Sequence, residues 1–140
     1  MDSRNNILSL LGLSLRGGHL VMGEEPVEGV ARARDARLLL LASDASDNTR
    51  RRVAHFADAG QCIWIRVPFT KEELGFVVGR QSLAIAAFTD AALALAFTKA
   101  LPNAEKFKDV VDVLDTKAQK LRQRKEEAKA HQRNVRKGKK

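Results

Sequence analysis

The sequence predicts an α/β protein: a three-layer α/β/α sandwich around a four-stranded mixed, mostly parallel sheet, followed by a C-terminal helix and a basic tail. Three observations carry this. Short apolar runs alternate with segments of helical periodicity over the first hundred residues. The links between them are short, as in crossover units. Capping signals at Ser46, Thr70 with Glu73, and Asp90 stand just ahead of the helical segments.

In chain order, Ser3 or Asn5 is placed to cap a first helix whose broad apolar face carries Ile7, Leu8, Leu10, Leu11 and Leu15. Gly17 and Gly18 stop it. Residues 19–22 form a short strand and Gly23 turns the chain. Glu24, Glu25 and Pro26 open a second helix, with acids at the positive end of its dipole. The apolar run at 38–42 reads as a central strand buried on both faces. Ser46 or Asp47 caps a third helix, which Gly60 ends. Residues 62–67 form the next strand. Thr70 and Glu73 make a capping box for a short helix that ends at Gly79. Residues 83–88 form the last strand. Asp90 caps a helix running to about Leu101, where Pro102 stops it. No repeat at a solenoid period is present.

Charge divides the chain in two. It has 140 residues and a formal net charge of +8. Residues 1–102 hold 12 basic and 11 acidic side chains, a nearly neutral body. Residues 117–140 hold 11 basic side chains against Glu126 and Glu127, or +9. Such a balance favours an anionic partner, nucleic acid first. Within 103–140, Phe107, Val110, Val111, Val113, Leu114, Ala118 and Leu121 recur at spacings of three and four. An amphipathic helix at 105–121 is expected to dock and then fray into a basic tail that is disordered or, since Lys, Arg, Gln, Glu and Ala dominate it, locally helical. The division is therefore 1–102 as the α/β body and 103–140 as helix and tail.

Catalytic signals are poor. One cysteine makes neither an internal disulfide nor a cysteine-rich zinc site. His19, His55 and His131 have no partner at ligand spacing, so no metal or cofactor is expected. Cys62 reads as a small buried hydrophobe. Asp44 and Asp47 read as a loop with a helix cap. Adjacent Glu24 and Glu25 point in different directions. Residues 16–19, Arg-Gly-Gly-His, lack the lysine and hydroxyl of a Walker loop. No apolar run approaches the ~18 residues of a membrane span. The N-terminus, with Asp2 early and its apolar stretch broken, is a poor signal peptide, so a cytoplasmic location is expected.

Two runs carry a family resemblance. Residues 11–25 read LGLSLRGGHLVMGEE. Residues 39–49 read LLLASDASDNT, followed by KEELG at 71–75 and VGR at 78–80. In this order and spacing, residues 5–101 resemble the ribosomal-protein family that binds kink-turn RNA, of the archaeal and eukaryotic large-subunit type, and most of all its bacterial YlxQ-like branch. The resemblance implies an α/β/α sandwich and a non-enzymatic, ribosome-associated protein binding structured RNA. It implies an RNA edge built from the loop after the first strand and the loop before the last.

Carried over residue by residue, the family's Gly-x-Asn-Glu-x-x-Lys element falls on Gly23, Glu24 and Glu25. Arg80 and Gln81 fall in the second loop. Arg16 precedes the first strand, and His19 stands where the branch often has lysine. Here an acid replaces the asparagine, and the lysine is missing. At ~1 kcal/mol or more per charge-assisted bond, these changes weaken the grip of the body alone on kink-turn RNA. Arg32, Arg34 and the triplet at 50–52 are possible compensators, each more readily read as solvated surface. With no tyrosine and one tryptophan inside an apolar strand, base stacking is less expected than backbone and shape recognition. The alternative is a protein-interaction module of the same fold that has lost specific RNA binding and docks a protein partner through helix 105–121.

Overall fold

Helices and strands alternate along the computed structural model, which describes residues 3–137 and the side chains of 5–132. The order is α1 (Ser3–Arg16), β1 (Leu20–Met22), α2 (Glu24–Arg32), β2 (Leu38–Leu41), α3 (Asp47–Gly60), β3 (Ile63–Arg66), α4 (Lys71–Val77), β4 (Ile85–Phe88) and α5 (Ala91–Ala100). A 3-10 turn (Ala104–Phe107) then leads into α6 (Lys108–Lys137). Asn5 lies inside the first turn of α1 and does not cap it. Ser46, Thr70 and Asp90 cap α3, α4 and α5, and Thr70 with Glu73 completes a capping box.

The strands form one sheet in the order β1-β4-β2-β3. Only β2 and β3 pair in parallel, whereas β4 is antiparallel to both β1 and β2. The expectation of a mostly parallel sheet is therefore corrected: the sheet is mixed, with two of its three pairs antiparallel. The cause is the last link. β1, β2 and β3 run the same way and are joined by the crossover helices α2 and α3. The seven residues of α4 do not carry the chain back across the sheet. Instead Leu83 donates its amide to Lys71 O at 2.9 Å, so β4 starts at the end where β3 stops. It then inserts between β1 and β2.

Side-chain alternation sorts the strand residues into two hydrophobic clusters. Leu38, Leu40, Ala86 and Phe88 join residues of α1, α4, α5 and α6. Leu39, Leu41, Ile85 and Ala87 join residues of α2 and α3. Gly60 acts differently from the expected helix stop. The left-handed residue after α3 is Gln61, at φ 52°. A Cβ on Gly60 would lie 2.2 Å from Ala31 O, so glycine there permits close approach of α3 to α2.

The amphipathic segment at 105–121 docks on its own body. Leu114 and Ala118 are buried, and Phe107, Val110 and Val111 pack against the same cluster. Beyond Ala118 the chain takes the helical, not the disordered, form of the two that composition leaves open. It continues to Lys137, exposed from Gln119 to Gln132. Lys, Arg, Gln, Glu and Ala dominate this stretch, and all are good helix formers. Asp109, Asp112 and Asp115 stand early in α6 and the cations late, matching the helix dipole. Lys139 and Lys140 lie outside the described residues.

Candidate nucleic-acid interface

One end of the sheet gathers most of the expected residues. Gly23 follows β1, with its amide donating to Ile85 O at 3.0 Å. It is the N-cap of α2 at φ 92°, a region that disfavours any side chain, and it supplies no side-chain cap. The first amides of α2 therefore have no side-chain partner from the cap position. A Cβ on Gly23 would stand 3.6 Å from Arg80 Nη1, so the guanidinium lies directly over this helix entrance.

α4 positions Arg80. The Arg80 amide donates to Gly75 O at 2.8 Å. Gly75 is buried, and a Cβ there would approach Ser82 Cα to 2.7 Å and Arg80 O to 2.8 Å. Only glycine lets the loop at 78–82 lie flat on the helix. The start of α4 is tied down in turn, because the Lys71 amide donates to Asp44 Oδ1 at 2.8 Å. Asp44 is thus a loop tie, and Ser46 is the cap of α3, with its Oγ accepting from the Thr49 amide at 3.1 Å. Asp44 and Asp47 thus serve a loop and the start of a helix, as expected.

Arg52 joins this edge from α3. Its Nη1 donates to Glu24 Oε1 at 2.6 Å. Glu24 is thereby neutralised, while Glu25 beside it is exposed. The basic triplet at 50–52 reads from sequence as a solvated face, and the structure divides it. Arg50 pairs with Asp47 at 3.8 Å, whereas Arg52 reaches the entrance of α2. Arg32 is held by Glu28 at 3.0 Å on the surface of α2.

The structure brings Gly23, Glu24, Glu25, Arg80 and Gln81 to one edge. Arg16, at the end of α1, lines a groove between α1 and α4 with Val77 and Val78. His19 does not belong to the edge. Its carbonyl accepts from the Thr89 amide at the other end of β1 and β4. Sequence order hides this, because a three-residue strand separates His19 from Gly23.

Phe76 was missed. It is 85% exposed, on α4 just ahead of the Arg80 loop. Its signal in the sequence is its position off the apolar face set by Leu74 and Val78. Among the described residues, no group of three His, Cys, Asp or Glu is placed to hold a metal ion. No described helix is long and apolar enough to cross a membrane.

A Bacillus subtilis (strain 168) protein named RNA-binding protein YlxQ is 36% identical to the chain over 85 residues, covering 58% of the chain and 80% of that protein. The chain belongs to the YlxQ family. An Enterococcus faecium protein, also named RNA-binding protein YlxQ, is 37% identical over 51 residues, covering 36% of the chain and half of that protein. A solved structure of a protein of unknown function from Bacillus halodurans C is 26% identical, with a TM-score of 0.61, over 67% of the chain and 94% of that structure. No protein-family model matches the chain.

Proposed function

We propose that the chain is a non-enzymatic RNA-binding protein that recognises structured, kink-turn-like RNA through the edge at Gly23 and Arg80, in the ribosome or its assembly. The carrying observation is the Arg80 guanidinium over the uncapped entrance of α2, 3.6 Å from where a Gly23 side chain would begin. Open helix amides and a fixed cation together suit a phosphate. Glu25 is exposed and is the acceptor for base amino groups, while Glu24 is held by Arg52. Phe76 offers a face on which an unstacked base stacks. The names of the YlxQ relatives support RNA as the partner. The kink-turn and ribosomal parts of the reading rest on the resemblance in residues 11–25 and 71–80.

The reading as a protein-interaction module is less favoured. The apolar stripe of helix 105–121, its intended docking face, is taken up by the chain's own core through Leu114 and Ala118.

The test titrates the full chain against a kink-turn duplex and a straight duplex at equal salt. A modest preference for the kinked RNA is expected, since the asparagine and lysine of the family element are absent. Arg80→Ala should lower affinity about tenfold or more, the equivalent of one charge-assisted bond. Gly23→Val should do the same by crowding the guanidinium. If neither change affects binding while circular dichroism shows a folded protein, the RNA edge lies elsewhere.

A further inference from the structure

The opposite end of the sheet carries a second cationic surface. Gly23 and Arg37 bond to opposite ends of β4: Gly23 to Ile85 O at 3.0 Å, Arg37 to Phe88 O at 2.7 Å. Four strand residues place these contacts about 10 Å apart along the sheet, facing opposite ways. Arg37 Nη1 donates to the carbonyl of Arg34 at 2.9 Å, which fixes the side chain without a carboxylate. Lys117, Lys120 and Arg124 of α6 line the same open depression, with Ala91 and Leu121 as its apolar wall.

The spacing on α6 is that of one helix face. The stripe that buries Leu114 and Ala118 continues through Lys117, Leu121 and Arg124. A helix made only to dock would keep this stripe apolar. Among the described residues none of the four cations is in an ion pair. The neighbouring acid Asp90 has its Oδ2 engaged as the cap of α5, accepting from the Leu93 amide at 3.0 Å. Half-buried Cys62 reports the same field. Burial pushes its thiol pKa up, and Lys117 and Arg37 pull against that. Four like charges gathered beside Asp90 repel one another, and a bound anion relieves the repulsion.

The surface suits an extended anion. Cations continue along the exposed helix through Arg122, Lys125 and Lys129. From Lys117 to Lys129 the helix rises about 18 Å, far more than one small anion spans and enough for several backbone phosphates.

We propose that Arg37 with Lys117, Lys120 and Arg124 forms a second RNA contact at the end of the sheet opposite Gly23 and Arg80, so that the protein holds two RNA segments at once. The class of partner rests on the RNA reading above; the place rests on these four residues alone.

The experiment uses the full chain, a donor-labelled kink-turn duplex and an acceptor-labelled straight RNA duplex. Energy transfer between the two RNAs reports bridging, and affinities at several salt concentrations report phosphate contacts. The intact protein should bring the duplexes together. The variant K117Q/K120Q/R124Q should abolish the transfer and flatten the plot of log K against log salt by about 2 to 3. Its preference between kinked and straight RNA should not change. Lys120→Glu, at an exposed position, serves if the triple variant does not fold. Absence of transfer with the intact chain, or an unchanged salt slope in the variants, overturns the proposal. So does loss of binding to phosphatidylglycerol vesicles with RNA binding intact. Failure of Arg80→Ala to alter RNA preference would instead remove the first edge and leave the α6 result standing.

Discussion

Glu24 and Arg52, 28 residues apart in the chain, meet at 2.6 Å where α2 begins beside α3. The pair lies next to the helix entrance that Arg80 covers, so it sets how much positive charge the edge offers. Both side chains are about half exposed, and such pairs contribute about 0–1 kcal/mol to stability. Glu24→Gln should therefore leave the thermal midpoint nearly unchanged. It should raise RNA affinity, because an anion is removed and Arg52 is freed to reach a phosphate. Arg52→Gln should lower it. A loss of affinity in Glu24→Gln would mean that Glu24 itself accepts from the RNA, and that Arg52 only orients it.

Phe76 separates binding from folding cleanly. At 85% exposure its ring contributes almost nothing to the core. Base stacking on an aromatic side chain is worth about 1–3 kcal/mol by alanine substitution. Phe76→Ala should therefore weaken RNA binding about fivefold to a hundredfold while the melting temperature holds. Unchanged affinity would assign Phe76 to some other surface.

Gly75 couples the fold to the edge. Any Cβ there would sit within 2.8 Å of Arg80 O and Ser82 N, both backbone atoms. Gly75→Ala must push the loop at 78–82 off α4. Overpacking of this kind costs about 1–3 kcal/mol. The same movement carries Arg80 away from Gly23. Chemical denaturation should show the destabilisation, and titration should show weaker RNA binding at temperatures where the variant is fully folded. A folded variant with normal binding would show that Arg80 tolerates displacement.

Much of this was legible before the structure, for reasons that are local. The caps at Ser46, Thr70 and Asp90 are short-range chemistry, and so is the continuous burial of the leucines in β2. The resemblance also points to Gly23 and Arg80, which the fold brings together. What was not legible depends on distant pairing. The direction of β4 follows from which end of the sheet the α4 link returns to, and hydrophobic periodicity does not encode that. Arg52 looked like part of a solvated triplet because its partner is on another helix. His19 looked close to Gly23 because distance along the sequence says nothing about opposite ends of a strand. Helix propensity past Ala118 is legible in composition, but the extent of α6 is not, because apolar content measures only where the helix docks.

Cys62 gives a pH-dependent readout of the α6 surface. Burial holds its pKa above the ordinary 9.0, and Lys117 is the larger of the two cationic influences that oppose the shift. Lys117→Gln removes that influence, so the thiol pKa should rise further. At fixed pH near 9, less thiolate is then present and alkylation by iodoacetamide should slow. The sign for stability follows from linkage. The folded state keeps the proton longer, so this contribution is full below the ordinary pKa and is lost as pH rises through the folded one. Faster alkylation in a folded Lys117→Gln variant would show that access, not charge, governs this thiol.

The two halves of α6 should separate as cleanly as their burial does. Leu114 is fully buried against the core, and Leu114→Ala should cost about 2–5 kcal/mol through lost contact and the cavity left behind. Residues 126–132 are exposed throughout and lie past Leu121, whose side chain still walls the depression beside Ala91. Deleting residues 126–140 should leave the thermal midpoint unchanged while removing six cations and two acids. It keeps Lys117, Lys120 and Arg124. Backbone contacts position a protein but carry no sequence information, so the deletion should lower affinity for unrelated RNAs alike and reduce the salt slope. Any preference for kinked over straight duplex should persist, because Gly23 and Arg80 are untouched at the far end of the sheet. The measurement is binding of intact and truncated protein to two unrelated RNAs over a range of salt. An unchanged slope would make the end of α6 a solvated appendage. Loss of the preference would mean that the helix reads RNA structure, and the edge at Gly23 would then be the non-specific partner.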